Sequence, residues 1–135
     1  MTAGYSKRSL SQKLGLKPGF RLMILNPPPG YEATLGPLPA EVTVATELTG
    51  PLDFIHFFTK HQAELEAHFP SLKQALAKDG MLWISWPKKA AKVPPDLDEN
   101  IIREIGLTHG LVDVKVAAVD QVWSGLKFVY RVRDR

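Results

Sequence analysis

The sequence predicts an α/β fold in which a mainly parallel sheet carries helices on both faces and ends in a carboxyl-terminal antiparallel hairpin. Apolar stretches of strand length alternate with stretches of helical periodicity, which is typical of this class. The earlier apolar stretches are continuous, as in strands that are covered on both faces. The last two alternate between apolar and polar residues, which indicates a hairpin with one face partly exposed to water.

Residues 1–20 form a helical lead-in to what we expect to be a single domain over 1–135. Ser9 and Gln12 have the spacing of a capping box. Two leucines four residues apart share one face of this short helix, and the glycine that follows can end it.

Three apolar stretches predict the first three strands, at 21–26, 41–47 and 52–58. Residues 48–51 are too few for a helical crossover between the second and third strands. Either these two strands pair antiparallel or an extended loop returns the chain, and we favour the loop. The segment 30–40 is too short and too rich in proline and glycine for a full helix after the first strand.

A helix and a fourth strand follow. Apolar residues recur at helical spacing between 60 and 78, where Pro70 must kink the helix or restart it as a first-turn proline. A Lys-Asp-Gly turn then leads to an apolar strand at 81–86.

The loop 87–95 precedes a second helix at 96–109, and two strands at 112–119 and 126–132 complete the hairpin. Asp96 is the predicted N-cap of the helix. The buried stripe of the helix is predicted to be Leu97, Ile101 and Ile105. One face of the last strand is predicted to carry Leu126, Phe128, Tyr130 and Val132, and the connecting turn to hold Trp123.

Composition is that of an ordinary globular protein, with 44% hydrophobic and 23% charged residues. The chain has no cysteine, which excludes disulfides and thiolate metal sites and fits a reducing cytoplasm, the location we expect. We expect no membrane association, because no apolar run approaches the roughly 18 residues of a membrane span. The net charge of +3 is too small to argue for nucleic acid as a partner, while a protein partner or a homo-oligomer stays open.

Basic residues gather near both ends of the chain. Residues 1–21 contain five of them and no acidic residue, and three arginines lie in 131–135. A solvated surface is the simpler interpretation of this pattern.

Ligands of open parallel sheets bind beyond the carboxyl ends of the strands. The first strand here is followed by Asn26-Pro-Pro-Pro-Gly30, and prolines lack the N–H groups that a phosphate loop supplies. Glu47 follows the second strand, about twenty residues later, where nucleotide-binding folds place a ribose-binding acid.

The fourth strand ends in Ser-Trp-Pro-Lys, and Trp86 there offers a stacking surface while Lys88, with Lys89 and Lys92, could meet an anion. A tryptophan covering the core beside a solvated loop is the simpler interpretation. The candidate ligand-binding residues are therefore Asn26, Tyr31, Glu47, Trp86 and Lys88.

No catalytic residue and no metal site is predicted. His56 lies on a buried strand, where a core histidine with satisfied hydrogen bonds is expected. His61 and His68 are seven residues apart, whereas zinc-binding helices place two histidines at i and i+4.

Two resemblances accompany these patterns. The order of strands and helices, with "LKQALAKDGMLWISWP" before the hairpin, resembles the later part of the Rossmann-like fold of S-adenosylmethionine-dependent methyltransferases over most of residues 20–132. The motifs "KLGLKPG", "GPLDFIHFF", "LAKDGMLWISWPK" and "WSGLKFVYR" resemble a family of small bacterial proteins catalogued as domain of unknown function 3052. That second resemblance spans essentially the whole chain and implies no activity, cofactor or catalytic residue.

From the sequence we favour a non-catalytic binding or interaction module that uses no cofactor, because no glycine-rich loop and no catalytic constellation is present. The alternative is a methyltransferase-like protein that binds S-adenosylmethionine or a nucleotide.

Overall fold

A computed structural model describes residues 8–88 and 96–135, which form one six-stranded sheet flanked by helices. The strands are β1 (Arg21–Leu25), β2 (Thr43–Val44), β3 (Leu52–Phe58), β4 (Leu76–Pro87), β5 (Leu111–Ala118) and β6 (Trp123–Tyr130). The α-helices are α1 (Leu10–Leu14), α2 (Tyr31–Leu35), α3 (Gln62–Ala75) and α4 (Glu99–Thr108), and a 3₁₀ turn follows at Val132–Asp134.

The strand order is β2-β1-β3-β4-β6-β5. The first four strands in this order are parallel, and β6 runs antiparallel to both of its neighbours. This confirms the predicted mainly parallel sheet with a terminal hairpin. Because β2 and β3 lie on opposite sides of β1, the chain changes its direction of progression there, and a crevice is expected at the carboxyl ends of β1 and β3.

Helices cover both faces of the sheet, as predicted. On one face α3 and α4 bury Phe57, Phe69 and Ile102. On the other face α1 and α2 bury Leu14 and Leu35. The predicted capping box of α1 is present, with Gly15 in the left-handed region at its end.

The second strand is shorter than the sequence predicts. Within 41–47 only Thr43 and Val44 pair, and they pair with the first two residues of β1. Val44 is 55% exposed at this edge of the sheet, so burial of apolar side chains contributes little to the stability of a longer strand here. The loop interpretation of the next connection is correct, because β2 and β3 both run parallel to β1.

The helix predicted over 60–78 ends at Ala75, because Leu76 already pairs with Leu52 in the sheet. α3 continues through Pro70 and does not restart there. The predicted turn falls inside β4, where β3 advances from Leu52 to Phe54 while β4 advances from Leu76 to Met81. Residues 77–80 therefore form a bulge at the position of the turn.

The start of α4 also differs from the prediction. Asp98, not Asp96, is its N-cap, and Asp98 accepts a hydrogen bond from the Ile101 N–H at 2.8 Å. Asp96 instead accepts one from the Gln62 N–H at 2.6 Å, so it caps α3. Leu97 and Ile105 of the predicted stripe are buried, whereas Ile101 is half-buried and Ile102 lies in the core.

In the hairpin, three of the four residues predicted for the inner face of the last strand are buried. Val132 is the exception, since β6 ends at Tyr130 and Val132 is 79% exposed in the 3₁₀ turn. Trp123 does not lie in the turn but is the buried first residue of β6.

Across residues 8–88 and 96–135, no helix combines the length and the apolar character that a bilayer crossing requires. The cytoplasmic location stays a prediction.

Gly106 allows α4 to pack closely on β6, and its replacement by alanine should be destabilising. A Cβ atom at this position would lie 2.0 Å from Cε1 of Phe128. Gly106→Ala is expected to lower the free energy of unfolding by about 1–3 kcal/mol through overpacking, although alanine is the better helix former. Urea denaturation measures the effect. Phe128→Leu in the same chain should recover part of it, and a gain in stability from Gly106→Ala alone would contradict this packing.

Candidate functional site

A cleft of about 780 Å³ opens at the carboxyl edge of the sheet. The ends of β1, β3 and β4, the first turn of α3 and the start of β6 surround it. Its described lining residues are 26–29, 58–61, Glu64, Pro87 and 121–123. We call this cavity the carboxyl-edge cleft. It lies at the crevice that the strand order predicts.

A rigid turn of prolines forms one wall of the cleft. The Tyr31 N–H donates to the Pro28 carbonyl at 3.1 Å, and Gly30 has φ 80° and ψ 6°. These values are those of a type II turn with Pro29 and Gly30 at its centre, where glycine is favoured because φ is positive. Prolines have no N–H and the Tyr31 N–H is already bonded, so Gly30 holds the remaining backbone donor of this turn.

Asn26 joins the turn to the neighbouring strand. Its backbone lies in the left-handed region, with φ 55°, which asparagine adopts more readily than most residues. Its Nδ2 donates to the Phe58 carbonyl at 3.3 Å. The carboxyl ends of β1 and β3 are thereby held together beneath the cleft.

The first turn of α3 forms the polar wall of the cleft. The Thr59 hydroxyl donates to the Glu64 carboxylate, and its oxygen accepts from the His61 N–H at 3.1 Å. Glu64 lies in the first turn of this fourteen-residue helix, where the helix dipole favours a negative charge. Lys60 and His61 are exposed on the same rim, so this wall carries charges of both signs.

Under the proline turn, three buried side chains form a chain of hydrogen bonds. His56 is fully buried in β3; its Nδ1 lies 2.6 Å from the Tyr31 hydroxyl and its Nε2 lies 2.7 Å from Ser85 Oγ. Phe58 stacks on the His56 ring at 4.1 Å between centroids, and Tyr31 meets Phe58 edge to face. We call Tyr31, His56 and Ser85 the buried relay. The prediction of a core histidine with satisfied hydrogen bonds is confirmed.

The electrostatics of the buried relay favour neutral groups. Desolvation by burial lowers the pKa of His56 to about 3 and raises the pKa of the Tyr31 hydroxyl. At neutral pH both rings are uncharged, so neutral hydrogen bonds of the relay connect α2, β3 and β4.

The five predicted ligand residues do not come together. Asn26 lines the carboxyl-edge cleft, and the Lys88 ammonium, close to the cleft, donates to the Asp120 carbonyl at 2.7 Å. Tyr31 is buried in the relay, and Trp86 is buried in the core under α3 and α4. Glu47 is exposed in the loop after β2 and is not part of the described cleft lining. Lys89 and Lys92 lie outside the described residues.

A smaller cavity of about 300 Å³ lies between the ends of β1 and β2. It shares Pro27 and Pro28 with the carboxyl-edge cleft, and Glu32 and Ala45 line its far side. The proline turn therefore separates two adjoining cavities, and Glu47 is not part of the described lining of either one.

The candidate ligand residues predicted from the sequence do not include Thr59, Glu64 or Trp123, which all line the cleft. The strand-end rule marks Thr59, because it follows β3 directly. Trp123 could have been found by noting that β6 runs antiparallel to β4, which brings the start of β6 to the carboxyl end of β4. Within the described part of the chain, His, Asp and Glu side chains do not gather in threes as a metal ion would require.

The sequence matches no model of a known protein family, and it matches no curated protein. The predicted membership in domain of unknown function 3052 is therefore not confirmed. The fold, however, is similar to solved structures.

Three of these structures illustrate the likeness. A methyltransferase of Aquifex aeolicus that depends on S-adenosylmethionine has a TM-score of 0.61 at 17% identity, over 87% of this chain and 85% of that one. Magnesium protoporphyrin IX methyltransferase from Synechocystis, with bound S-adenosylhomocysteine, has a TM-score of 0.58 at 12% identity, over 84% and 75%. The fibrillarin pre-rRNA processing protein of Methanococcus jannaschii has a TM-score of 0.56 at 13% identity, over 84% and 67%.

At these identities the likeness shows the fold. The chain has the Rossmann-like fold of the S-adenosylmethionine-dependent methyltransferases, as the order of its elements predicts.

The buried relay should make stability depend on pH. The unfolded pKa of histidine is about 6.5 and that of native His56 is about 3, so between these values the unfolded state binds more protons and stability falls as pH falls. From this group alone, the free energy of unfolding should be about 2 kcal/mol lower at pH 5 than at pH 8. Urea denaturation across this range measures it. His56→Gln should remove this contribution and exposed His61→Gln should keep it; equal slopes in both variants would contradict the assignment.

Proposed function

We propose that the chain binds S-adenosylmethionine or S-adenosylhomocysteine in the carboxyl-edge cleft. The observation that carries this proposal is the position of the cleft, at the crevice between β1 and β3 of a sheet with the methyltransferase fold. Its volume is within the range of small-molecule sites. In the Synechocystis methyltransferase a protein of this fold holds S-adenosylhomocysteine, which supports the same class of ligand here.

The cleft residues fit a ligand without phosphate better than a nucleotide. A pyrophosphate needs several backbone N–H groups or a helix N-terminus, and the proline turn leads into a five-residue helix. S-adenosyl compounds consist of adenosine, a sulfur centre and an amino acid, and they carry no phosphate. The prolines and Trp123, which line the cleft, would contact the apolar part of such a ligand.

Charge on the α3 wall suits the amino-acid end of the ligand. The Glu64 carboxylate would attract the ammonium group and the positive sulfonium, and Lys60 would attract the carboxylate. S-adenosylmethionine carries a positive sulfonium, whereas S-adenosylhomocysteine carries a neutral thioether. The Glu64 carboxylate would therefore bind S-adenosylmethionine more tightly than S-adenosylhomocysteine. When bound, S-adenosylmethionine supplies an activated methyl group, and His61 and Glu64 are the cleft residues that could accept a proton from a methyl acceptor.

The finer sequence predictions enter as parts of this proposal. Asn26 would contact the ligand from the base of the cleft. Glu47 is a weaker candidate for ligand contact because it lies outside the described lining. Membership in domain of unknown function 3052 is also part of the proposal, and the resemblance of motifs such as "WSGLKFVYR" supports it. The function favoured from the sequence is binding without catalysis. A protein that binds S-adenosylmethionine without converting it to S-adenosylhomocysteine would have this function, whereas conversion would identify a methyltransferase.

Ligand binding should raise the melting temperature. A ligand present at 100 times its Kd stabilises the native state by about 2.7 kcal/mol, which corresponds to a rise of about 5–10 °C for a domain of this size. Differential scanning fluorimetry with S-adenosylmethionine and S-adenosylhomocysteine measures the rise. ATP and NAD should give none, because the proline turn cannot hold a phosphate.

A matched pair of variants locates the ligand. Val122→Trp places a large ring in the cleft and should abolish the rise, while Val132→Trp adds the same ring to the remote 3₁₀ turn and should leave it unchanged. No rise at millimolar S-adenosyl ligand would reject the proposal. A rise that Val122→Trp leaves intact would place the ligand elsewhere, and Glu47→Ala then tests the ribose-binding role that the sequence predicts for Glu47.

A further inference from the structure

Four lysines gather on the face of the sheet that carries α1, near its antiparallel end. Lys115 of β5 and Lys127 of β6 are directly opposite in the register of the hairpin. Lys13 lies in α1, where its Nζ donates to the Ala118 carbonyl at 3.1 Å, and Lys115 Nζ donates to the Lys13 carbonyl at 3.3 Å. We call Lys13, Lys17, Lys115 and Lys127 the lysine face.

The charges of the lysine face repel one another. Like charges on directly opposite strand residues are destabilising. Burial, and then the charges of Lys115 and Lys17, lower the pKa of the Lys127 ammonium, which lies beside Gly15 at the end of α1. Among the described residues, no carboxylate lies within 4.0 Å of any of these four ammonium groups. The isolated chain therefore carries an unneutralised basic surface.

Protection of a sheet edge explains part of this pattern. Lysines on terminal strands discourage unwanted strand pairing, and Lys115 lies on the terminal strand β5. That role does not explain Lys127, which lies on the inner strand β6, or Lys17, which lies outside the sheet.

We propose that the lysine face and the adjoining edge of β5 dock an extended acidic segment of a partner protein. In the described sheet β5 has a neighbour on one side only, so a further strand can pair with its outer edge. Val114 and Val116 are 54% and 47% exposed on this strand and offer apolar contacts to such a segment. Its carboxylates would neutralise the lysines.

A protein segment fits this surface better than nucleic acid does. Single strands bind by stacking bases on aromatic rings, and the large apolar side chains exposed in the described residues are leucine and valine. A duplex backbone would satisfy the lysines and leave Val114 and Val116 without a partner.

Fluorescence anisotropy with a labelled peptide of alternating Glu and Val tests the proposal. Lys115→Gln and Lys127→Gln should each weaken binding by roughly fivefold at low salt. Gln74→Glu changes the net charge by the same amount on exposed α3, on the opposite face, and should bind like the parent chain.

Lys115→Glu separates binding from folding. It gives Lys127 an opposite charge across the strand pair, so the melting temperature of the free protein should rise by about 1–3 °C while peptide binding is lost. The proposal would be overturned if Lys115→Gln and Lys127→Gln bound the peptide as tightly as Gln74→Glu does. Tighter binding of a labelled DNA duplex by the same lysines would also overturn it, because nucleic acid would then be the partner.

Discussion

Burial of His56 in the middle of β3 is the constraint on which the rest of this end of the molecule depends. A buried imidazole is tolerated when both of its nitrogens have partners, and here Tyr31 and Ser85 provide them. Tyr31 can reach His56 because the type II turn directs the chain back over β3 immediately after β1. The same hydrogen bond therefore fixes α2, the proline turn and one wall of the carboxyl-edge cleft.

The proline turn changes which chemistry this edge of the fold can support. A glycine-rich loop brings many N–H donors towards a ligand, whereas this turn presents ring carbons and one free donor. Polar contacts must then come from the first turn of α3, where Thr59 and Glu64 already interact. A ligand in this cleft would therefore be contacted by side chains more than by backbone, and its cationic and apolar groups would be better accommodated than a phosphate.

The continuous apolar strands could be predicted from the sequence because their hydrophobicity is local. β3 was predicted with its observed bounds, and the hairpin and both long helices were predicted within a few residues. Properties that depend on strand pairing could not be predicted. The length of β2 depends on its pairing with β1. The burial of Trp86 on the α3 face depends on which residues of β4 point to that face of the sheet.

The candidate site was harder to predict for the same reason. Asp96 and Asp98 both have the chemistry of an N-cap, and which helix each one caps depends on how α3 and α4 approach each other. Glu47 satisfies a spacing rule, yet the shortness of β2 leaves it in an exposed bend. Asn26 lines the cleft because it follows a strand that the sequence marks clearly, and its role in ligand binding stays a prediction.

The positions of the three tryptophans determine what the intrinsic fluorescence of the protein can report. Trp83 and Trp86 are buried in opposite cores, where their surroundings are fixed by packing. Trp123 is the one of the three that borders the carboxyl-edge cleft, and its ring meets Phe58 edge to face at 5.2 Å. We therefore expect a small molecule that enters the cleft to change the emission of Trp123 more than that of Trp83 or Trp86.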